Sequence, residues 1–598
     1  MQKYTKEELE EILSRHDARV TVATDEDRAR VLSNPLAKEY LEGLHEMYET
    51  YTASLTPCIP FKDFKTFFVE GRRNDILYFD KRRKMYAIAI MAWLYGEREY
   101  YEELENILWA IMDEYMWNTP AHVFGTGLTH YQPDNYYIDL YSAETCAGIS
   151  EVLSLLGDKL EPIITERARR LIAERCFDIY QKSFWWKRCH NNWAAVCAGS
   201  VGMTAIYMLK DPAELAKMLS QCLDTIECYL DGFEPDGCCR EGIGYWGFGF
   251  GLFTYFSDLL YRRTGGEINL FADEKVKNIA SFPTKCFFRG GKTVTFSDCG
   301  TQDSVKINPA IIARLRDFYP DVPLPKRSIS AIEYNKGKGA MSFAHIFRIL
   351  LWMPNSFDGA NQNGAQTHLF PDAQWYISSS EGGLGIAAKA GVNFDAIEPH
   401  NHNDIGSFHV YKNGANLISD IGAGVYTKTY FKHDVRYEVF APSSASHSVP
   451  IVNGAYQSYG EERRAKDVSV TLEGGLCADI SGAYDVPSLE SLVRSVRLDG
   501  DGERILISDS YRFSEKPDSV VERFVSYSEP KIEDGVVSIS AGGETLTFDF
   551  DNSLLRPSIK TYEDEQCLVR STPGFKAYMI DFEVVEPTKE FTVNITLT

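Results

Sequence analysis

The densest run of chemically able side chains in this sequence is His400-Asn401-His402-Asn403-Asp404-Ile405-Gly406-Ser407-Phe408, preceded by Glu398-Pro399 and followed through a hairpin by Asp420. On an extended chain, residues i and i+2 project to the same face. His400 and His402 therefore read as two imidazoles on one strand face, able to hold a metal, to address a substrate, or to divide the two tasks. His447, in Ser443-Ser444-Ala445-Ser446-His447-Ser448-Val449, adds a third imidazole. Two histidines and an aspartate on neighbouring strands suit a divalent ion such as Zn²⁺ or Mn²⁺, with bonds of about 2.0–2.2 Å for zinc. A lone histidine is more often structural, and the spacing alone leaves both readings open.

Two turns earlier in the chain also carry polar groups beyond what local structure needs. In Arg188-Cys189-His190-Asn191-Asn192-Trp193 an apolar helix follows at once. One Asn there is an ordinary helix cap, and two in succession, flanked by His and Trp, offer a surplus able to face a cleft. The other turn is Glu234-Pro235-Asp236-Gly237-Cys238-Cys239-Arg240-Glu241-Gly242-Ile243-Gly244-Tyr245-Trp246, continuing Gly-Phe-Gly-Phe-Gly to Gly251. Its glycines permit close backbone approach. Its aromatics read either as a sugar-stacking wall or as helix packing. No strand followed by a GxGxxG or Walker pattern occurs here, which excludes a nucleotide loop.

The elements that must position these residues fall into two textures. Up to about residue 280, apolar positions recur at three and four, predicting helices over Met85–Leu94, Tyr101–Tyr115, Ile138–Leu156, Trp193–Leu209 and Pro212–Leu230. Asp211 is the N-cap of the last, with Pro at its first position. Thr5 and Glu8 form a capping box at the start of the chain. Helix pairs on short loops predict an open solenoid or a closed α/α toroid. Residues 282–365 are transitional, with a strand at Lys292–Phe296 and helices at Pro309–Phe318 and Ala340–Leu351. Beyond that, period-two alternation takes over. Phe408–Lys412 and Ala415–Ser419 flank Asn413-Gly414, a tight-turn signal. Strands follow at Val468–Leu472, Leu492–Leu498, Arg504–Ser510 and Phe591–Leu597. The fold class is therefore α+β and multidomain: a helical domain, solenoid or toroid, over 1–365, transitional from 282, then an antiparallel β-sandwich over 366–598 with a candidate division near 520.

At 598 residues the chain exceeds a single core, in line with that division. Its 44% hydrophobic and 25% charged residues are those of a globular protein. A net charge of −23 removes the broad basic footprint that nucleic acid or an acidic membrane surface needs, while leaving room for an anionic substrate in a locally basic cleft. Lys81-Arg82-Arg83-Lys84 and Arg167-Ala168-Arg169-Arg170 read as solvated helix faces. No apolar run reaches the ~20 residues of a membrane helix, and the first residues form no leader-like apolar stretch. The 13 cysteines are scattered without a CxxC pair, as in reduced cytoplasmic proteins. The expected location is cytoplasmic.

Four motifs in matching order, Asp139-Leu140-Tyr141-Ser142-Ala143-Glu144-Thr145, Asn191-Asn192-Trp193, Glu241-Gly242-Ile243-Gly244-Tyr245-Trp246 and the His-x-His-x-Asp-x-Gly-Ser-Phe element, span roughly residues 130–455. In these the sequence resembles the heparinase II/III-like polysaccharide lyases, which join an N-terminal α/α toroid to C-terminal antiparallel β-sheets and act on heparin, chondroitin or alginate. The resemblance implies that Asn192 helps neutralise a substrate carboxylate, that Tyr245 is a catalytic acid or base, and that His400 is the catalytic histidine. It implies that His402, Asp420 and His447 ligate a structural Zn or Mn. Some relatives carry His where this chain has Trp193, so His190 and Asn191 are lesser candidates. Tyr430, Arg436 and Tyr437 are alternatives for a further substrate contact, and Arg240, Glu241 and Trp246 join them from the glycine-rich turn.

The implied chemistry is β-elimination. A base takes the C5 proton of a uronate, amide donors stabilise charge building on its carboxylate, and an acid within about 3 Å reaches the bridging oxygen. A syn route uses Tyr245 as base and then acid. An anti route gives the base role to His400. Tyr as base requires that its pKa, about 10 in water, be lowered by its surroundings. The expected substrates are anionic polysaccharides or oligosaccharides, glycosaminoglycans first and alginate-type oligouronates second. Two rival readings are a glycoside hydrolase using Asp139 with Glu144 or Asp236 with Glu241, and a carbohydrate-binding protein without turnover.

Overall fold

The computed structural model describes the chain except Met1, Leu55, Pro57, Arg72 and residues 17–19, 123–136, 300–307, 324–341, 356–363, 395–399, 566–568 and 570–573, together with the side chains of Phe64, His433 and Asp434. It divides into two compact units: Met1–Gly232, Trp246–Ala280 and Lys306–Ala360 in one, Phe233–Tyr245, Ser281–Val305 and Asn361–Thr598 in the other. A single boundary near residue 365 is what the change of texture predicts. The chain instead lends two earlier segments, 233–245 and 281–305, to the second unit.

The first unit is helical. Its first helix, Lys6–Arg15, carries the expected capping box: Glu8 N–H donates to Thr5 Oγ1 at 3.2 Å and Thr5 N–H donates to the Glu8 carboxylate at 2.7 Å. Ile76–Tyr95 and Arg98–Met112 form a helical hairpin across a two-residue link. The Lys81-Arg82-Arg83 run is not a solvated face. All three side chains are buried, and Lys81 and Arg82 each pair with Glu114 at 2.7 Å. The helix Asn192–Met208, almost wholly buried, packs on Leu140–Leu156, Pro212–Asp231 and Gly251–Arg263. Asp211 caps Pro212–Asp231 through the amides of Ala213 and Glu214 at 2.8 and 3.0 Å. No helix of the described residues is long and apolar enough to cross a membrane.

The second unit holds three antiparallel sheets. Five strands form a meander in chain order, Gln366–Phe370, Trp375–Ser379, Leu384–Lys389, Phe408–Lys412 and Ala415–Ile418. Asn413 (φ 48°) and Gly414 (φ 87°) make the turn between the last two, both in the left-handed region that a tight two-residue hairpin requires. An eight-stranded sheet runs, in spatial order, Pro530–Glu533, Val536–Ala541, Glu544–Phe550, Glu590–Leu597, Ile505–Phe513, Leu489–Leu498, Gly475–Asp479 and Lys466–Thr471. The third sheet orders Leu555–Glu563, Lys576–Val584, Val520–Ser526 and Ile451–Val452. One apolar core joins all three, from Ile386 and Val410 through Val496 and Ile595 to Phe524 and Phe582. Lys292–Phe296 is not a strand; only Thr293 bridges, to Phe287.

Candidate active site

The histidine pair stands ahead of strand Phe408–Lys412 in irregular backbone, so the shared strand face that alternation predicts does not exist. Glu398 and Pro399 lie outside the described residues. What orders the turn is a set of buried amides. Asn401 Nδ2 donates to the Asn393 carbonyl at 2.6 Å, Asp404 N–H to Asn393 Oδ1 at 3.2 Å, and Asn403 N–H to the Pro442 carbonyl at 2.9 Å. Arg494, paired with Asp509 and Glu522, donates to the carbonyls of Gly406 and Ser448 and so ties both histidine-bearing loops to the eight-stranded sheet.

Both imidazoles nonetheless address one group, the buried carboxylate of Asp298. His400 Nδ1 lies 3.0 Å from its Oδ2 and His402 Nε2 lies 2.9 Å from its Oδ1. Tyr430 Oη donates to Oδ1 at 2.7 Å, while Tyr426 Oη and Arg436 Nη2 each donate to Oδ2 at 3.1 Å. Burial works against this charge, but the Arg436 guanidinium and the two histidines outweigh it and hold the carboxyl well below the usual carboxylate range. Asp298 follows Ser297, whose φ of 63° is uncommon for a residue with a side chain; Ser297 Oγ donates to the Arg240 carbonyl at 2.9 Å.

Tyr245 comes from the 233–245 segment of the same unit, at the end of a short helical turn, Ile243–Tyr245. That segment lies close against the chain at Phe296–Cys299 because residue 242 is Gly (φ 99°). A Cβ there would sit 2.8 Å from the Phe296 carbonyl oxygen and 2.9 Å from Cys299 Cβ. The Tyr245 ring stacks on His400 with centroids 4.1 Å apart and planes at 23°. Its hydroxyl is 2.6 Å from Tyr426 Oη. Glu241 Oε1 lies 3.7 Å from His400 Nε2. Burial, then the Asp298 charge, push the Tyr245 phenol well above its ordinary value, against the hydrogen bond with Tyr426. This is opposite to the lowering that a tyrosine base requires, and it favours the protonated phenol.

Beyond Asp298, His402 turns its other nitrogen to a second cluster. His402 Nδ1 and His447 Nε2 are 3.2 Å apart. Asp420 Oδ2 is 3.3 Å from His447 Nδ1 and 3.4 Å from His409 Nε2. Ligand atoms of His402, Asp404, Asp420 and His447 all lie within 4.8 Å of one another, on fully buried side chains. Tetrahedral zinc, with nitrogen bonds of about 2.0–2.1 Å, sets donors about 3.3 Å apart, so this spacing fits a divalent ion. Both carboxylates keep buried oxygens without a hydrogen-bond donor, as metal ligands do. Asp404, absent from the sequence-derived set, would supply a fourth donor, and Lys389 Nζ stands 2.9 Å from its Oδ1. Burial lowers the His447 pKa, but Asp420 more than reverses this and raises it.

The remaining candidates separate by their surroundings. Tyr430 and Arg436 are buried and spent on Asp298, with Arg436 also bonded to the Asn401 carbonyl. Tyr437 Oη donates to Asn401 Oδ1 at 3.0 Å and its ring stacks on exposed Tyr459. Arg240 stands 3.7 Å from Glu234. Trp246 belongs to the helical unit and is fully buried, its indole N–H donated to the Ile279 carbonyl at 2.8 Å. It serves that core and not a sugar-stacking wall. In the same unit, Asn191 is the helix N-cap, accepting from Trp193 N–H at 3.1 Å, and Asn192 is the first helical residue, 2% exposed. His190 Nδ1 lies 2.9 Å from the Cys228 carbonyl.

Two carboxylates of the hydrolase reading, Asp139 and Asp236, have structural partners. Asp139 caps helix Leu140–Leu156 and holds His122 at 2.8 Å, and Asp236 accepts from the backbone amides of Cys238, Asp372 and Ala373.

Residues 362–563 match the family model described as heparinase II/III-like, C-terminal. No curated protein matches the sequence. Among solved structures, heparinase III is similar at 14% identity and a TM-score of 0.61, over 95% of this chain and 93% of that one. The heparan sulfate lyase HepC of Pedobacter heparinus is similar at 13% identity and 0.54, over 99% and 87%. The chondroitin AC lyase of Streptomyces coelicolor A3, in complex with chondroitin sulphate, is similar at 10% identity and 0.57, over 96% and 82%. At such identities the likeness is one of fold, an α/α toroid joined to antiparallel β-sheets. Residues 362–563 thus form a heparinase II/III-like C-terminal domain, in a chain that shares the fold of heparinase III and chondroitin AC lyase.

Proposed function

We propose that this protein cleaves uronate-containing polysaccharides by β-elimination, leaving a 4,5-unsaturated uronate, with glycosaminoglycans as the first substrate class. The observation that carries the reading is Tyr245 lying flat on His400, with both groups joined through Tyr426 and Asp298. Asp298 orients His400 by its Nδ1, which leaves Nε2 as the nitrogen for the C5 proton. Tyr245, held as a phenol, gives its proton to the bridging oxygen as the C4–O bond breaks. This division favours the anti route. The names of the similar structures, heparan sulfate and chondroitin lyases, support the substrate class. Asn192 as a donor to the substrate carboxylate is supported by the motif resemblance alone. The metal, if bound by His402, Asp404, Asp420 and His447, supplies a positive charge that fixes the loop beside His400.

The test is Tyr245→Phe assayed on a panel of glucuronate and alginate-type polymers. Ultraviolet absorbance of the new double bond should vanish with the melting temperature kept. Unchanged turnover in the variant, or saccharide release without that absorbance in the native protein, refutes elimination by Tyr245.

A further inference from the structure

We propose that Tyr426 is a second working phenol of this site, a hydroxyl that donates to Asp298 while Tyr245 keeps its proton and turns to donate to Tyr245 once that proton has left. The inference rests on the reading of Tyr245 as a catalytic phenol, and goes beyond it by assigning a role to a residue outside the sequence motifs.

Tyr426 Oη has three polar neighbours: Tyr245 Oη at 2.6 Å, Asp298 Oδ2 at 3.1 Å and His400 Nδ1 at 3.3 Å. A phenol has one proton to give. Tyr426 Oη donates its proton to Asp298 Oδ2, so in the resting site the proton order runs from Tyr245 to Tyr426 to Asp298. Whichever face of the sugar is attacked, Tyr245 passes one stage of the reaction as a phenolate. It does so before taking the C5 proton in the syn route, or after giving its proton to the bridging oxygen in the anti route. At that stage two oxygens 2.6 Å apart need a donor between them, and the Tyr426 O–H is the one in place.

The step balances within the site. In the anti route His400 takes the C5 proton, the C5–H electron pair becomes the C4–C5 double bond, the C4–O electron pair goes to the bridging oxygen, and the Tyr245 O–H bond breaks to give that oxygen its proton. Tyr426 keeps its own proton and changes only the direction in which it is donated. A phenolate is a stronger base than a carboxylate, with a conjugate-acid pKa of about 10 against about 4 in water, and the Tyr245 oxygen lies nearer to Tyr426 Oη than Asp298 Oδ2 does, at 2.6 against 3.1 Å, so the turn favours the phenolate stage. Around Tyr245, burial and the charges of Asp298 and Glu241 oppose a phenolate, and the Tyr426 hydroxyl favours it. The Tyr426 ring is packed by Phe431 at 4.8 Å and Tyr430 at 4.9 Å. The hydroxyl proton is thus free to turn while the ring is held.

The experiment compares Tyr426→Phe with Tyr245→Phe and the native protein on whichever polymer of the panel is cleaved. Tyr426→Phe should lower kcat by about 100-fold with KM little changed, and should move the limb of the kcat–pH profile that belongs to Tyr245 to higher pH. A filler of the fold would move neither the profile nor kcat alone. Native kcat and an unmoved profile in Tyr426→Phe, with Tyr245→Phe inactive, overturns this inference and leaves the reading of Tyr245 standing. Activity in Tyr245→Phe overturns both. If Tyr426→Phe does not fold, 3-fluorotyrosine at position 426, which keeps the ring and acidifies the hydroxyl, decides. A displaced profile supports the role, and an unmoved one ends it.

Discussion

His400 and His402 share one carboxylate, each bonded to a different oxygen of Asp298 at 3.0 and 2.9 Å. The arrangement couples the histidine that stacks on Tyr245 to the one that faces His447. It also makes Asp298 the group on which both depend, together with Tyr426, Tyr430 and Arg436.

Asp298→Asn keeps the shape and removes the charge. It should lower kcat by about 100-fold or more, because the His400 ring loses the acceptor that sets its tautomer. It should also destabilise the protein by about 3–5 kcal/mol, the usual cost of leaving one buried partner, here Arg436, without its counter-charge. Turnover and urea unfolding of the same preparation check both. A variant with native turnover would remove Asp298 from the machinery.

Metal content is the second expectation. Asp404 and Asp420 set two buried negative charges against the one ammonium of Lys389. Either a proton on His447 or a divalent ion offsets the remainder. With a bound ion, elemental analysis finds about one zinc or manganese per chain, a chelator lowers the melting temperature, and His447→Ala loses the metal. Protein with no bound metal and no response to chelator would mean that Lys389 and a protonated His447 balance the cluster.

A pH dependence of stability follows from Glu144, buried in the helical unit with an oxygen that has no hydrogen-bond partner. Burial, reinforced by the Asp139 charge, pushes its carboxyl up to about 8. The folded state therefore holds a proton that the unfolded chain releases above about 4.3. Stability from this group is full below that value and is lost as pH rises towards 8, by at most about 1.4 kcal/mol per pH unit. Glu144→Gln should flatten the decline of melting temperature between pH 5 and 8 relative to the native protein. Parallel curves would show that Glu144 stays ionised.

Those residues show what is legible in a sequence of this kind. Helices capped by Thr5, Asp211 and Asn191 and the Asn413-Gly414 turn follow from local chemistry, and their bounds shift by only a few residues. His402, Asp420 and His447, named together through the family resemblance, lie in one buried cluster, and Asp404 sits inside the motif without being distinguished by it. Asp298 carried no such signal. It lies 102 residues before His400 and outside the four motifs, so only the folded chain reveals it as the shared partner. The basic run at Lys81–Arg83 misled because a charge pattern does not reveal the distant acid that buries it, here Glu114. Trp246 misled because aromatic residues between glycines read alike in a cleft wall and in a core.

The last expectation separates two adjacent amides. Asn191 is the N-cap, its side chain accepting from Trp193 N–H at 3.1 Å, and Asn192 begins the helix. Loss of a cap costs about 0.5–2 kcal/mol, and Ser or Asp restores it. Asn191→Ala should therefore lower stability by that amount with kcat kept, and Asn191→Ser should recover most of it. If Asn192 donates to the substrate carboxylate, Asn192→Ala should instead lower kcat by about 100-fold or more, as loss of an oxyanion donor does, and Asn192→Ser should not restore it, because a hydroxyl cannot replace the two donors of the amide. Thermal melts and turnover of the four variants check this. A kcat loss in Asn191→Ala that exceeds the one in Asn192→Ala would exchange the two assignments, making the second Asn the structural one.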